Sequence, residues 1–333
     1  MSQKVEVNTT PNTQITATPT KKELTTAKSQ YSDFQVVTKI SESSYAVYLA
    51  FSKQNKKCYA LKVFPYRDNR ISNGFINETR FSWLSHPHII SFLDIVPEKK
   101  TFQQGKYFKT SYILMELAPY GDFLGLLNPD RLPYDDKLAR TYFHQLLDAI
   151  EYLHTNGVVH MDLKLENLLI GENFELKVTD FNLSCAEDEI EYCTEGTVNY
   201  RAPEILEGKC KDLKAADIYS AGVILFCLKS HLYPYLENPA PNETDFFKLL
   251  KNKDKSFWEL HPKAQEDPKF FDKDFKDLFL SMVEKCPKKR ATLKDIKRSK
   301  WYRGPIYSHD ELVAIMKKYV QPKSFLKAVN QQH

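Results

Sequence analysis

The sequence predicts an α+β fold in which a small β-rich lobe precedes a larger helical lobe. Three observations lead to this prediction. The 333 residues are enough for roughly two folding units of about 150 residues each. Short runs of β-branched and aromatic residues come early in the chain, and apolar residues at helical spacing follow them. The first pattern is typical of strands and the second of helices packed into a core.

The predicted first lobe spans residues 31–117. Three short β-branched and aromatic runs are separated by polar turns, which predicts an antiparallel meander. These runs are 34–40, 45–51 and 58–64. Asn77 to Leu84 is predicted to be a helix, and Ser111 to Leu117 a buried strand bounded by turn residues.

The predicted second lobe spans residues 118–304, and 305–333 form a C-terminal extension. Apolar residues between Leu138 and Leu153 recur at helical spacing until Asn156-Gly157 ends the helix. In the extension, Ser308 and Glu311 form a capping box ahead of an amphipathic helix. This helix either packs on its own domain or receives a regulatory partner.

Composition excludes several classes of protein. The hydrophobic content of 42% excludes a wholly disordered chain, whereas residues 1–30 lack aromatic residues and are predicted to be a disordered tail. The net charge of +4, without a long basic stripe, argues against nucleic acid as a partner. The longest strongly apolar stretch, Ala221 to Leu228, is too short to span a membrane. We expect a cytoplasmic protein, the nucleus not being excluded, with free cysteine thiols.

Three motifs carry the chemistry. They are His160-Met-Asp-Leu-Lys-Leu-Glu-Asn167, Asp180-Phe-Asn182 and Gly196-Thr-Val-Asn-Tyr-Arg-Ala-Pro-Glu204. In this order they resemble the eukaryotic protein kinase family, over roughly residues 34–302. The resemblance implies a two-lobed protein kinase fold. The calmodulin-dependent and AMP-activated kinases are a candidate group within the family.

The resemblance assigns catalytic roles. Asp162 would orient the substrate hydroxyl and accept its proton, and Asn167 and Asp180 would bind Mg²⁺ through oxygen atoms. Lys62 would contact the α- and β-phosphates of ATP, with Glu78 as its helix partner.

Lys164, with Gly196-Thr197 before Tyr200, resembles the serine/threonine branch of the family. The hydroxyl of Thr197 would bridge the loop aspartate and lysine. The expected partners are therefore proteins with serine or threonine acceptors. Asp217 is expected to hold the catalytic loop by backbone N–H groups, and Glu204 to pair with Arg290.

The nucleotide site is assigned in the same way. Met115, Glu116 and Ala118 resemble the gatekeeper and the hinge beside adenine, and Asp122 the acidic residue near the ribose. Val47 would cover the adenine, although a competing register places Tyr48 there. The expected nucleotide-binding residues are Ser41, Ser43, Ala46, Val47, Ala60, Lys62, Met115, Glu116, Ala118 and Asp122.

Two motifs depart from the family pattern. The glycine-rich loop has become Ser41-Glu-Ser-Ser-Tyr-Ala-Val47, without a glycine, which predicts weaker contacts to phosphate and weak ATP binding. Asn182 replaces the glycine after Phe181, and asparagine tolerates left-handed backbone better than most residues. These changes raise an alternative, a pseudokinase that serves as a binding scaffold.

Overall fold

The computed structural model describes residues 34–42, 45–66, 68–103, 106–127, 132–189, 197–235 and 246–326. The predicted tail, residues 1–30, lies outside the described residues. Ser43 and Gly196 lie outside them as well.

One antiparallel sheet of five strands forms the first lobe, in the order β1-β2-β3-β5-β4. The strands are β1 (Phe34–Glu42), β2 (Ala46–Ser52), β3 (Cys58–Pro65), β4 (Phe92–Gln103) and β5 (Lys106–Met115). The predicted meander is confirmed by the pairing of β1 with β2 and of β2 with β3. The sequence pattern does not predict β4, because its second half is rich in charge, as suits a strand at the sheet edge.

The helix of the first lobe is shorter than predicted and begins earlier. Helix α1 spans Asn73–Thr79, so the predicted bounds Asn77 to Leu84 are wrong. After the helix, backbone bonds of the i to i−3 type continue from Phe81 to Leu84. These tighter turns still bury Phe81 and Leu84, and the apolar spacing therefore resembles a longer helix.

The second lobe is mainly helical, with four short strands. Strands β6 and β9 pair with each other, as do β7 and β8. In chain order the elements are α2 (Phe123–Leu126), α3 (Asp136–Thr155), β6 (Val158–Val159), β7 (Leu168–Ile170), β8 (Leu176–Val178), β9 (Cys185–Ala186), α4 (Pro203–Leu206), α5 (Leu213–Ser230), α6 (Phe246–Lys251), α7 (Ser256–Leu260), α8 (Pro262–Glu266), α9 (Lys273–Met282), α10 (Leu293–Arg298) and α11 (His309–Tyr319).

Helices α3 and α5 form the centre of the second lobe. Helix α3 ends at the predicted place, with Asn156 as its C-cap and Gly157 in the left-handed conformation at φ +70°. The apolar stretch Ala221 to Leu228 lies inside α5, which is buried on all sides. A helix that is apolar all round belongs in the middle of a core. Within the described ranges no helix combines the length and the apolar character needed to cross a bilayer.

Helix α11 packs on its own domain. Its predicted capping box is present, with Ser308 and Glu311 each accepting from the other's backbone N–H. Leu312 and Met316 are buried in the core of the second lobe. The apolar face of α11 is therefore already covered by the chain itself.

Candidate active site

A cavity of about 750 Å³ lies between the sheet and the helical lobe. Strands β1 to β3 line it from one side, and the segments around Asp162 and Asp180 line it from the other. The connection between the lobes, residues 116–118, closes its back. Its volume is within the range of pockets that bind small molecules and cofactors.

Three side chains in the cavity form a closed hydrogen-bonded group. Oδ1 of Asp162 accepts from the backbone N–H of Thr197 at 2.9 Å and from its hydroxyl at 3.1 Å. The ammonium of Lys164 lies 2.7 Å from Oδ2 of Asp162 and donates to the Thr197 hydroxyl at 2.8 Å. Thr197 thus bridges the aspartate and the lysine, as expected, and the carboxylate of Asp162 is held in one orientation.

Asn167 and Asp180 provide the oxygen atoms that a hard cation prefers. Nδ2 of Asn167 donates to the backbone carbonyl of Asp162 at 2.8 Å, which leaves the amide oxygen as the atom that can bind a cation. Asp180 lines the same cavity with a carboxylate whose pKa is lowered, because Lys62 outweighs the opposing effect of burial. One carboxylate and one amide oxygen, with room for phosphates and water, fit Mg²⁺.

Lys62 joins α1 to the cavity. Its ammonium lies 2.6 Å from Oε2 of Glu78 and 2.8 Å from Oδ1 of Asp180. Burial alone would lower the pKa of Lys62, but the two carboxylates raise it, so the ammonium stays charged. Burial also raises the pKa of Glu78 to about 7, against the attraction of Lys62. The other Glu78 oxygen, Oε1, is buried without a hydrogen-bond partner in the described part of the chain.

Two residues of the candidate site have an uncommon backbone conformation. Met161 and Asp180 have φ of 66° and 68°, in the left-handed region that non-glycine residues rarely adopt. Buried Asp217 supports this conformation by accepting from the backbone N–H groups of His160 at 2.9 Å and Met161 at 3.0 Å. The structure therefore confirms the contact expected of Asp217. Backbone strain of this kind is concentrated at functional sites.

A buried ion pair fixes the start of α4. The guanidinium of Arg290 donates to both carboxylate oxygens of Glu204, at 2.6 and 2.9 Å. This is the expected pair, and it attaches the start of α4 to the core of the second lobe. The two-point geometry gives the contact directional specificity as well as charge.

Most of the predicted nucleotide-binding residues converge on the cavity. Ser41, Val47, Ala60, Lys62, Met115, Glu116, Ala118 and Asp122 all line it. Ala46 does not line it, Ser43 lies outside the described residues, and Glu78 lies behind Lys62. Between the two registers considered, the structure places Val47 in the cavity, whereas Tyr48 packs on the opposite face of the sheet with Leu61.

The hinge presents its backbone rather than its side chains. The carboxylate of Glu116 turns away to accept from the backbone N–H of Ser91 at 2.7 Å and to pair with Lys177 at 3.1 Å. No hydrogen bond between described residues uses the backbone groups of Ala118. These groups are therefore available to a planar base in the cavity.

Asn182 does not adopt the left-handed backbone conformation that asparagine tolerates better than most residues. That conformation falls on Asp180, two residues earlier. The backbone carbonyl of Asn182 instead accepts from Nδ2 of Asn77 on α1.

The cavity also contains residues that the motifs do not predict. Leu169 follows Asn167 by two residues, and alternation along β7 could have identified it. Lys323 and Phe325 come from the C-terminal extension, and no feature of their local sequence indicates a place in this cavity.

The fold and the cavity define a two-lobed protein of the protein kinase class, and comparison with known proteins agrees. Residues 34–302 match the protein kinase domain family, and the chain belongs to that family.

Two relatives illustrate the similarity. CBL-interacting protein kinase 11 of Oryza sativa subsp. japonica is 30% identical over 284 residues, which are 82% of this chain and 52% of the relative. CBL-interacting serine/threonine-protein kinase 19 of Arabidopsis thaliana is 31% identical over 269 residues, which are 77% of this chain and 50% of the relative. The chain spans about half the length of the curated relatives it matches. The comparisons confirm the predicted resemblance to the serine/threonine branch of the protein kinase family.

Proposed function

We propose that this chain is a serine/threonine protein kinase that transfers the γ-phosphoryl group of Mg·ATP to hydroxyl groups of proteins. The observation that supports it best is the convergence of Asp162, Lys164, Asn167, Asp180 and Lys62 on one cavity. The proposal retains the predicted division into a lobe of residues 31–117, a lobe of residues 118–304 and an extension of residues 305–333.

Asp162 acts on the acceptor in this proposal. Its carboxylate orients the serine or threonine hydroxyl and accepts the proton as the new oxygen–phosphorus bond forms and the bond to ADP breaks. Thr197 and Lys164 hold the carboxylate during this step. Lys164 also reduces the repulsion between the carboxylate and the phosphate.

The nucleotide is bound by the remaining residues. Val47 and Leu169 enclose the adenine, the hinge backbone at Ala118 forms hydrogen bonds with it, and Lys62 contacts the α- and β-phosphates. Asn167 and Asp180 hold Mg²⁺, which neutralises phosphate charge when it is bound.

The test measures phosphate transfer from γ-labelled Mg·ATP to peptides that contain serine, threonine or tyrosine. We expect label on serine and threonine with the unsubstituted chain, and its loss in Asp162→Asn and Lys62→Met. Asp148→Asn is the matched control, because Asp148 is exposed on α3 and does not line the cavity. Label on tyrosine alone would refute the assignment of the serine/threonine branch.

A second candidate is a pseudokinase scaffold, favoured by the loss of every glycine from the β1–β2 connection. Such a protein would transfer no phosphate in the wild type or in Asp162→Asn, whether or not it binds Mg·ATP. Turnover by the wild type that Asp162→Asn abolishes would exclude it.

A regulatory partner remains part of the proposal. The names of the relatives state that they interact with CBL. Because the apolar face of α11 is buried in the second lobe, we place the partner's contact on another surface of this chain. A cytoplasmic location stays a prediction.

A further inference from the structure

The chain returns to the cavity after α11. We call residues 321–326 the strap. Within it, the backbone N–H of Lys323 donates to the carbonyl of Pro119, next to the hinge, at 2.9 Å. A turn of 3₁₀ helix, Ser324–Leu326, follows. Because α11 is anchored in the second lobe, the strap starts from a fixed point and reaches the connection between the lobes.

The end of the strap packs on the sheet of the first lobe. Phe325 and Leu326 pack against buried Leu49 and Phe51 of β2. Ile40 and Leu117 belong to the same hydrophobic cluster, and both also line the cavity. The strap therefore connects the second lobe, the hinge and the first lobe beside the place assigned to adenine.

The Lys323 side chain lies over Gly121. A Cβ placed on Gly121 would overlap Cε of Lys323, so a larger residue there would displace the end of the lysine side chain. Gly121 also has φ +85°, which disfavours other residues. The side chains of Lys323 and Asp122 both approach Gly125. A Cβ placed on Gly125 would lie 3.5 Å from the Lys323 ammonium nitrogen and 3.4 Å from Oδ1 of Asp122. Lys323 thus brings a positive charge close to the carboxylate assigned to the ribose.

We propose that the strap is one wall of the nucleotide site, with Lys323 positioning the ribose together with Asp122 and Phe325 closing the adenine side. This inference rests on the proposed function, because it assumes a nucleotide in the cavity. Lys323 and Phe325 line a cavity that still measures about 750 Å³ with the strap in place. The strap therefore encloses the site and does not fill it.

The strap also compensates for contacts to the nucleotide that the loss of the glycines removes. Without glycine in the β1–β2 connection, fewer N–H groups can point at phosphate. Lys323, in the lining of the same cavity, supplies positive charge and hydrogen-bond donors to an anionic ligand. A contact of this kind forms in the ground state and in the transition state alike, so its removal raises KM for ATP and leaves kcat almost unchanged.

The test uses the 333-residue chain with Lys323→Ala, Phe325→Ala and the control Lys318→Ala, whose lysine is exposed on α11. Binding of Mg·ADP is measured by calorimetry, and KM and kcat for ATP are measured separately. We expect the affinity to fall about three- to tenfold in the first two variants and to stay within about twofold in the control. Amide exchange near Pro119 should speed up in Phe325→Ala, and this readout needs no nucleotide.

The outcomes separate the two proposals. If the wild type binds Mg·ADP and both variants bind it equally well, the strap is not part of the site, and the kinase proposal stands. If nucleotide binding depends on Lys323 but no phosphate is transferred, the strap proposal stands and the kinase proposal fails. Tighter binding in either variant would show that the strap blocks the site, which overturns the inference. If Phe325→Ala does not fold, Lys323→Ala decides alone, since its side chain is only half-buried.

Discussion

Nδ2 of Asn77 lies 2.5 Å from the backbone carbonyl of Asn182 and 3.0 Å from that of Ser184. Helix α1 is thereby tied to the segment directly after Asp180. Asn77 stands one position before Glu78, so one turn of helix contacts both Lys62 and this segment. The contact uses the backbone of Asn182 and makes no use of its side chain.

Asn77→Ala should therefore lower kcat about 10- to 30-fold, since it removes two hydrogen bonds that position α1, each worth roughly 1 kcal/mol. Asn182→Gly restores the family's usual residue and keeps the carbonyl, so we expect activity within about threefold of the wild type. Steady-state kinetics on both variants checks this. A larger loss in Asn182→Gly than in Asn77→Ala would contradict the assignment of the contact to the backbone.

Activity should fall below pH 7 because Glu78 becomes protonated. Its pKa is raised to about 7 by burial, and protonation removes the charge that holds Lys62. We expect kcat/KM for ATP to fall about tenfold per pH unit below that value. Glu78→Gln should have low activity that changes little between about pH 6 and 8.

The same pKa shift affects stability with the opposite sign. A carboxyl with a raised pKa binds its proton more tightly in the folded state, so its contribution to stability falls as the pH rises from about 4.5 to about 7. The difference in free energy of unfolding between wild type and Glu78→Gln, measured in urea across this range, isolates the effect. A difference that does not vary with pH would show that Glu78 titrates normally.

Restoring glycine to the β1–β2 connection should tighten ATP binding. The variant combines Ser41→Gly at the end of β1, Ser43→Gly in the connection and Ala46→Gly at the start of β2, which allow closer approach of backbone N–H groups to phosphate. We expect KM for ATP to fall about threefold or more. Ser82→Gly, at an exposed position, is the control for added flexibility. An unchanged or higher KM in the triple variant would mean that the present loop already closes adequately.

The segment between the Asp180-Phe-Asn182 and Ala-Pro-Glu204 motifs, which the kinase family calls the activation segment, should work without a phosphate. Arg80, the C-cap of α1, donates to both oxygens of Glu189, at 3.1 and 2.8 Å, and Lys214 pairs with Glu187. The two basic side chains are therefore already paired with carboxylates and are not available to a phosphate. Met161 stands where related kinases carry a phosphate-binding arginine. Phosphatase treatment and Thr194→Ala, at a position outside the described residues, should each leave activity within about threefold.

Arg80→Ala should reduce activity about fivefold, because the pair is one-third exposed and such pairs contribute roughly 1 kcal/mol. Exchanging the charges, with Arg80→Glu and Glu189→Arg together, should restore most of the loss. A loss beyond about tenfold on phosphatase treatment and in Thr194→Ala would instead show that the segment depends on phosphate.

We expect a mild preference for substrates that have a basic residue N-terminal to the acceptor. Glu166 lines the cavity and accepts from the Tyr200 hydroxyl at 3.4 Å, and Asp122 caps α2 through Oδ1 at 2.7 Å. Each carboxylate keeps an oxygen for a substrate cation. A peptide array should show enrichment of arginine or lysine that Glu166→Gln reduces, and no enrichment in the wild type would remove the idea. Asp122→Asn is a milder variant, because asparagine still caps a helix.

The sequence alone determines the chemistry of the site and the order of its parts. Carboxylates at 162 and 180, amides at 167 and lysines at 62 and 164 are identifiable because each motif is short and contiguous. Hydrophobic period likewise predicts the three-strand meander and α3, because these elements bury one face through local spacing. The bounds of α1 could not be predicted, since 3₁₀ turns bury the same residues as a continued helix.

Only the tertiary structure determines which distant residues contact each other at the cavity. Val47 and Tyr48 are adjacent and point to opposite faces of β2, so only the pairing of β2 with its neighbours assigns Val47 to the cavity. Lys323 reaches Gly121 across some two hundred residues of chain, because α11 directs the strap to the hinge. A local pattern records how a segment buries its own apolar face. It contains no information about a distant segment that packs against it, and this is why the motifs predicted the catalytic centre and left the strap to the fold.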